Sequence, residues 1–78
     1  AMDRNERVVV IELKLGTASQ DVLGQIQSYM GDLMVETGKS VRGIIIAHDF
    51  EKRAIAASKP VPNIELRKYG FNFSFTKV

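Results

Sequence analysis

Apolar residues run almost unbroken from Val8 to Leu15, recur at helical spacing from Val22 to Met34, and run again from Val41 to Ala47. The first run, VVVIELKLG (8–16), predicts a strand over residues 6–15, ended by Gly16. Successive strand side chains face opposite sides, so Val8, Val10, Glu12 and Lys14 share one face and Val9, Ile11, Leu13 and Leu15 the other. So apolar a strand is expected to be buried on both faces. Thr17-x-x-Gln20 has the form of a capping box, and Ser19 and Asp21 also favour a helix start. A helix is expected from about Ala18 to Thr37. Val22, Ile26, Met30, Leu33 and Met34, widened by Leu23, form its buried face, and Gly38 is its expected C-cap.

VRGIIIA (41–47) predicts a second buried strand. Asp49 is expected to cap a short helix over 50–58 that packs through Ala54, Ile55 and Ala57, and to be an N-cap rather than a ligand. Lys59-Pro60-Val61-Pro62 ends that helix, because proline cannot continue a helix interior. IELRKY (64–69) alternates as a third strand, and Gly70 turns the chain. FNFSFTKV (71–78) places Phe71, Phe73 and Phe75 on one face of a final antiparallel or edge strand. The order is β-α-β-α-β-β, and the expected fold is α/β, a mixed sheet with helices packed on it.

Length makes this one domain, residues 1–78. A chain so short buries only roughly 60–65 % of its unfolded surface, so a partner subunit or a further piece of chain is expected. Hydrophobic content of 45 % and charged content of 26 % are ordinary for a globular protein. The chain has no cysteine, which excludes disulfides and thiolate metal sites. With no long apolar run and no signal-peptide pattern, a cytoplasmic location is expected. A net charge of +2 and a pI near 9.2 permit nucleic acid as a partner without requiring it. Ala1-Met2 reads as a tag remnant ahead of a start methionine, or as a cloning scar.

The chemistry gathers around the first strand. Glu12 and Lys14 are either an ordinary ion pair at a solvated strand end or half of a metal-dependent active site. Gln25 and Tyr29, spaced i, i+4 on the following helix, lie beside its apolar arc, where a polar side chain can look back toward the strand end. VVVIELK (8–14), DVLGQIQSYMGDL (21–33) and VRGIIIA (41–47), in that order, resemble the PD-(D/E)xK nucleases, and among them the NucS/EndoMS-like nuclease domain. The resemblance covers residues 6 to about 69. It implies a restriction-endonuclease-like core, Mg²⁺ or Mn²⁺ as cofactor, and hydrolysis of DNA phosphodiesters by metal-activated water. Carried onto this sequence, Glu12 and the Leu13 carbonyl would be metal ligands. Lys14 would orient the attacking water or stabilise the charged phosphorus centre, and Gln25 would hold the water or a phosphate oxygen. Tyr29 would pack the helix against the strand.

One departure limits the resemblance. The family's further aspartate lies on a preceding strand, and here Asp3, with Arg4 and Asn5, reads as a turn instead. One carboxylate binds Mg²⁺ poorly, so the chain is expected to be inactive alone. The alternative is a non-catalytic module, derived from a nuclease core, that dimerises through its first strand or its last. Lys39, Arg42, Lys52 and Arg53 are candidate phosphate contacts or simply solvated charges. His48, with no second histidine to join, reads as a loop residue near a helix start rather than a general base or ligand. The Phe71/Phe73/Phe75 stripe reads as core or an oligomer contact.

Overall fold

The computed structural model describes residues 7–70 and 75–78. Strand β1 spans Val8–Ala18, helix α1 Asp21–Thr37, strand β2 Val41–Phe50, helix α2 Lys52–Ser58, strand β3 Ile64–Tyr69 and strand β4 Phe75–Lys77. The readings of Asp3, Phe71 and Phe73 fall outside the described residues.

The expected restriction-endonuclease-like core with a mixed sheet is corrected. The three main strands are all parallel and lie in sequential order β1-β2-β3, built by a β-α-β-α-β run. Each helix returns the chain to the same end of the sheet, so each strand enters beside and parallel to the one before. The three-residue β4 lies antiparallel along the end of β3, pairing Arg67 with Lys77 and Tyr69 with Phe75.

Sequential order with two crossovers of one hand puts both helices on one face of the sheet. That face carries Val8, Val10, Val41, Ile45, Ala47, Ile64 and Leu66, which join Val22, Leu23, Ile26, Met30 and Ala54 in one core. Gly43 is the point of closest approach, since a Cβ there would lie 2.8 Å from Met30 Sδ and 2.9 Å from Ile26 Cδ1. On the other face no described element lies over β1. Ile11, Leu13 and Leu15 are therefore 55 %, 59 % and 87 % exposed, against the expectation of burial on both sides.

Four local expectations are also corrected. Gly16 does not end β1, because at φ +92° it carries a bulge that shifts the register between Lys14 and Thr17. Beyond it Thr17 pairs with Asp49 and Ala18 with Phe50. This pairing keeps Thr17 in the strand, so no capping box forms and α1 starts at Asp21 behind Gln20. Likewise β2 runs on to Phe50, placing His48 and Asp49 in the strand, with Glu51 before α2 in place of an Asp49 cap. Met34 is half exposed, since it sits about 100° round the helix from Leu33 and points away from the sheet. The other end of α1 is as expected: Gly38, at φ +67°, donates its N–H to the Met34 carbonyl at 2.9 Å.

Candidate functional site

Glu12 and Lys14 lie on the helix-bearing face of β1, opposite Ile45 and Ala47 of β2. Two residues apart on one face, they meet as an ion pair, Lys14 Nζ to Glu12 Oε1 3.5 Å. Both side chains are only partly exposed, 28 % for Glu12 and 37 % for Lys14. The face changes from apolar to polar here because α1 starts at this end of the sheet, after the chain has looped over from β1. The gap under that loop is a concavity of about 290 Å³, lined by Lys14, Thr17, Ser19, Asp21 and Gln25 among others. Lys14 and Gln25 are thus brought to one place, and Glu12 joins them through Lys14.

Leu13 has the opposite orientation. The Val8 N–H donates to the Ser40 carbonyl at 3.1 Å, so the backbone groups of Val8 face the β2 side. Alternation then points the Leu13 carbonyl outward, away from β2, where it is open to a ligand. Tyr29 is not brought to the concavity. It is 57 % exposed and is not among the residues that line the concavity.

A divalent cation of the Mg²⁺ or Mn²⁺ type takes about six oxygen ligands. Among the described residues no three His, Cys, Asp or Glu side chains gather to hold a metal. Glu12 supplies one carboxylate, and Asp21, in the first turn of α1, is a second acid at the concavity. Asp49 is too far along β2, opposite Thr17 rather than Glu12. It is also engaged: its Oδ1 accepts the Phe50 N–H at 2.9 Å and pairs with Lys68 Nζ at 3.1 Å. The Phe50 N–H first, then Lys68, hold its carboxyl below the usual value. The described residues therefore do not by themselves make a Mg²⁺ or Mn²⁺ site.

The four basic residues singled out for phosphate contact are split by the fold. Lys39 and Arg42 lie at the amino end of β2, and Lys52 and Arg53 follow its carboxyl end, about ten strand residues or some 33 Å away. A different basic cluster forms instead. Glu65 is surrounded by Arg67 (Nη2 2.7 Å), Lys77 (3.4 Å) and Arg42 (3.5 Å). Burial pushes the Glu65 carboxyl up, but Arg67 and Lys77 outweigh it and hold it below the ordinary value. Three of these side chains, with Arg7 and Lys59, line an open groove of about 540 Å³ at the amino end of the strands. Alternation of Glu65 and Arg67 along β3 was the sequence signal for this cluster, and Lys77 joins it from β4, where it pairs with Arg67. His48 is exposed at the far end of β2, its ring 5.7 Å from that of Tyr69 and tilted by 50°.

By residue type alone Asp21, Thr17 and Ser19 are helix-start residues. Their place at the concavity follows from the bulge at Gly16, which carries the chain over the end of the sheet. No family model, curated protein or solved structure matches the chain. No helix among the described residues is long and apolar enough to cross a membrane.

Proposed function

We propose that this chain is part of a DNA phosphodiester-hydrolysing domain whose reactive groups sit where β1 passes into α1. The observation that carries this reading is the meeting of Lys14, paired with Glu12, and Gln25 around one concavity at the carboxyl end of a parallel strand. In open α/β sheets that end of the strands is where ligands bind. The amino end of α1 adds the positive pole of the helix dipole, which favours an anion.

In this reading a phosphate oxygen is held by the Lys14 ammonium and the Gln25 amide N–H. Glu12 accepts a proton from the attacking water while its pair with Lys14 keeps it oriented. The resemblance of VVVIELK and DVLGQIQSYMGDL to the PD-(D/E)xK nucleases supports the roles of Lys14 and Gln25, and by that resemblance Glu12 would be a metal ligand. Hydrolysis in that manner requires Mg²⁺ or Mn²⁺ with a further acidic group, beyond what the described residues hold. The test is a cleavage assay on single-stranded, branched and mismatched DNA with each metal, run on the full product of the natural gene, alongside Glu12→Ala and Lys14→Ala. Cleavage by that product that needs the metal and disappears in both variants is the expected result. Cleavage unchanged in both would overturn the assignment.

A second reading is favoured by a specific observation. The edge strand β1 carries three exposed apolar residues, Ile11, Leu13 and Leu15, in alternate positions. A non-catalytic module that dimerises through this strand fits that edge.

A further inference from the structure

The outer edge of β1 has a self-complementary sequence. Reading Ile11-Glu12-Leu13-Lys14-Leu15 about Leu13 reverses the positions of the apolar residues and exchanges the two charges. We propose that β1 pairs antiparallel with β1 of a second copy of this chain, about a two-fold axis at Leu13 perpendicular to the sheet. The proposal makes the second functional reading specific and does not depend on hydrolysis.

Three observations converge on it. First, β1 is the outermost strand of the sheet, and no strand among the described residues lies beyond it. Second, the backbone phase is right. Val8 turns its N–H to the β2 side, so alternation points the N–H and carbonyl groups of Ile11 and Leu13, and the N–H of Leu15 just before the bulge, outward. Those three residues would form the hydrogen-bonded pairs of an antiparallel ladder: Leu13 with its own copy, and Ile11 with Leu15 twice over. Third, the side chains agree on both faces. On the open face, Ile11, Leu13 and Leu15 of one copy meet the same three of the other and cover residues now more than half exposed. On the helix face, Glu12 falls opposite Lys14 of the second copy, in the non-hydrogen-bonded pairs where side chains come closest. Each carboxylate already holds its own Lys14 at 3.5 Å, so the seam would carry four alternating charges.

Charge selects this register. Centring the axis on Glu12 sets carboxylate against carboxylate, and centring it on Lys14 sets ammonium against ammonium, both unfavourable. A one-residue slip would turn the apolar row of one copy toward the charged row of the other. The bulge at Gly16 limits the seam at one end, since it breaks the regular run of β1.

The test reads mass by sedimentation velocity from micromolar to millimolar chain. The wild-type protein is expected to form a species of twice the 8.7 kDa chain mass and nothing larger. Glu12→Lys and Lys14→Glu each place like charges across the seam and should weaken the dimer at least about tenfold. Mixed together, the two variants restore opposite charges and should form a heterodimer as tight as the wild type. That restoration cannot occur if either variant has failed to fold. Leu13→Pro removes an outward N–H without touching the β1–β2 ladder and should also give monomer. A wild-type chain that stays monomeric at millimolar concentration would overturn the proposal. So would single variants that dimerise as well as the wild type, or a mixture that does not recover.

Discussion

Arg67 holds Glu65 through two nitrogens, with Nη2 2.7 Å and Nε 2.9 Å from the same carboxylate oxygen, Oε2. The two residues are neighbours on one face of β3, and Arg42 and Lys77 approach the same carboxylate from β2 and β4. A single acid thus ties three of the four strands together. Its carboxyl titrates below the ordinary 4.5, so its contribution to stability is complete above that pH. It is lost as pH falls through the lower, folded value. Glu65→Gln should cost about 1 kcal/mol near neutral pH, a figure reduced by the partial exposure of the three cations. Urea midpoints measured across the acid range should fall with pH in the wild type, and the deficit of Glu65→Gln should shrink toward zero.

Asp49 offers a narrower check. The Phe50 N–H is the larger influence on its carboxyl and Lys68 the next. Lys68→Ala should therefore move the Asp49 titration, followed by NMR, only part of the way back toward 3.8. A complete return would mean that the Phe50 N–H does not bind the carboxylate.

Gly43 marks the tightest contact between sheet and helix. Gly43→Ala should destabilise the fold by about 1–3 kcal/mol, because the new methyl overlaps Met30 Sδ and Ile26 Cδ1. Trimming the helix side with Ile26→Val should recover part of that loss in the double variant, measured by denaturant unfolding.

Gly16 differs in kind. Nothing lies within 4 Å of a Cβ built there, but its φ is +92°. Gly16→Ala should cost about 1–2 kcal/mol through backbone strain alone, with no partner substitution able to relieve it. Urea unfolding of the single variant, and of the variant combined with Thr17→Ala, checks both statements.

These particulars show how far the fold could be read from the residues. The third strand over 64–69 and the end of α1 at Gly38 were legible, because alternation and a left-handed cap are local signals. The bulge at Gly16 was not. A glycine after a strand run looks the same whether it ends the strand or re-aims it, and only the pairing of Thr17 with Asp49 decides. That pairing between distant segments removed the capping box and carried β2 through His48. That Glu12 and Lys14 share one face of β1 followed from simple alternation, but which face meets the helices did not, since an apolar strand reads alike from either side. Nor did the exposure of Tyr29, since a place beside the apolar arc fits either burial or exposure. The scattering of Lys39, Arg42, Lys52 and Arg53 likewise reflects the length of β2 rather than their own character.

The central claim is that phosphate is received between the carboxyl end of β1 and the amino end of α1. An amide NMR titration of the ¹⁵N-labelled chain with a short single-stranded DNA tests it most directly. The account predicts shifts that saturate at Lys14, Thr17, Ser19 and Gln25 and vanish in Lys14→Ala. Shifts confined to the groove around Arg42, Glu65 and Lys77, or none at millimolar DNA, would contradict it.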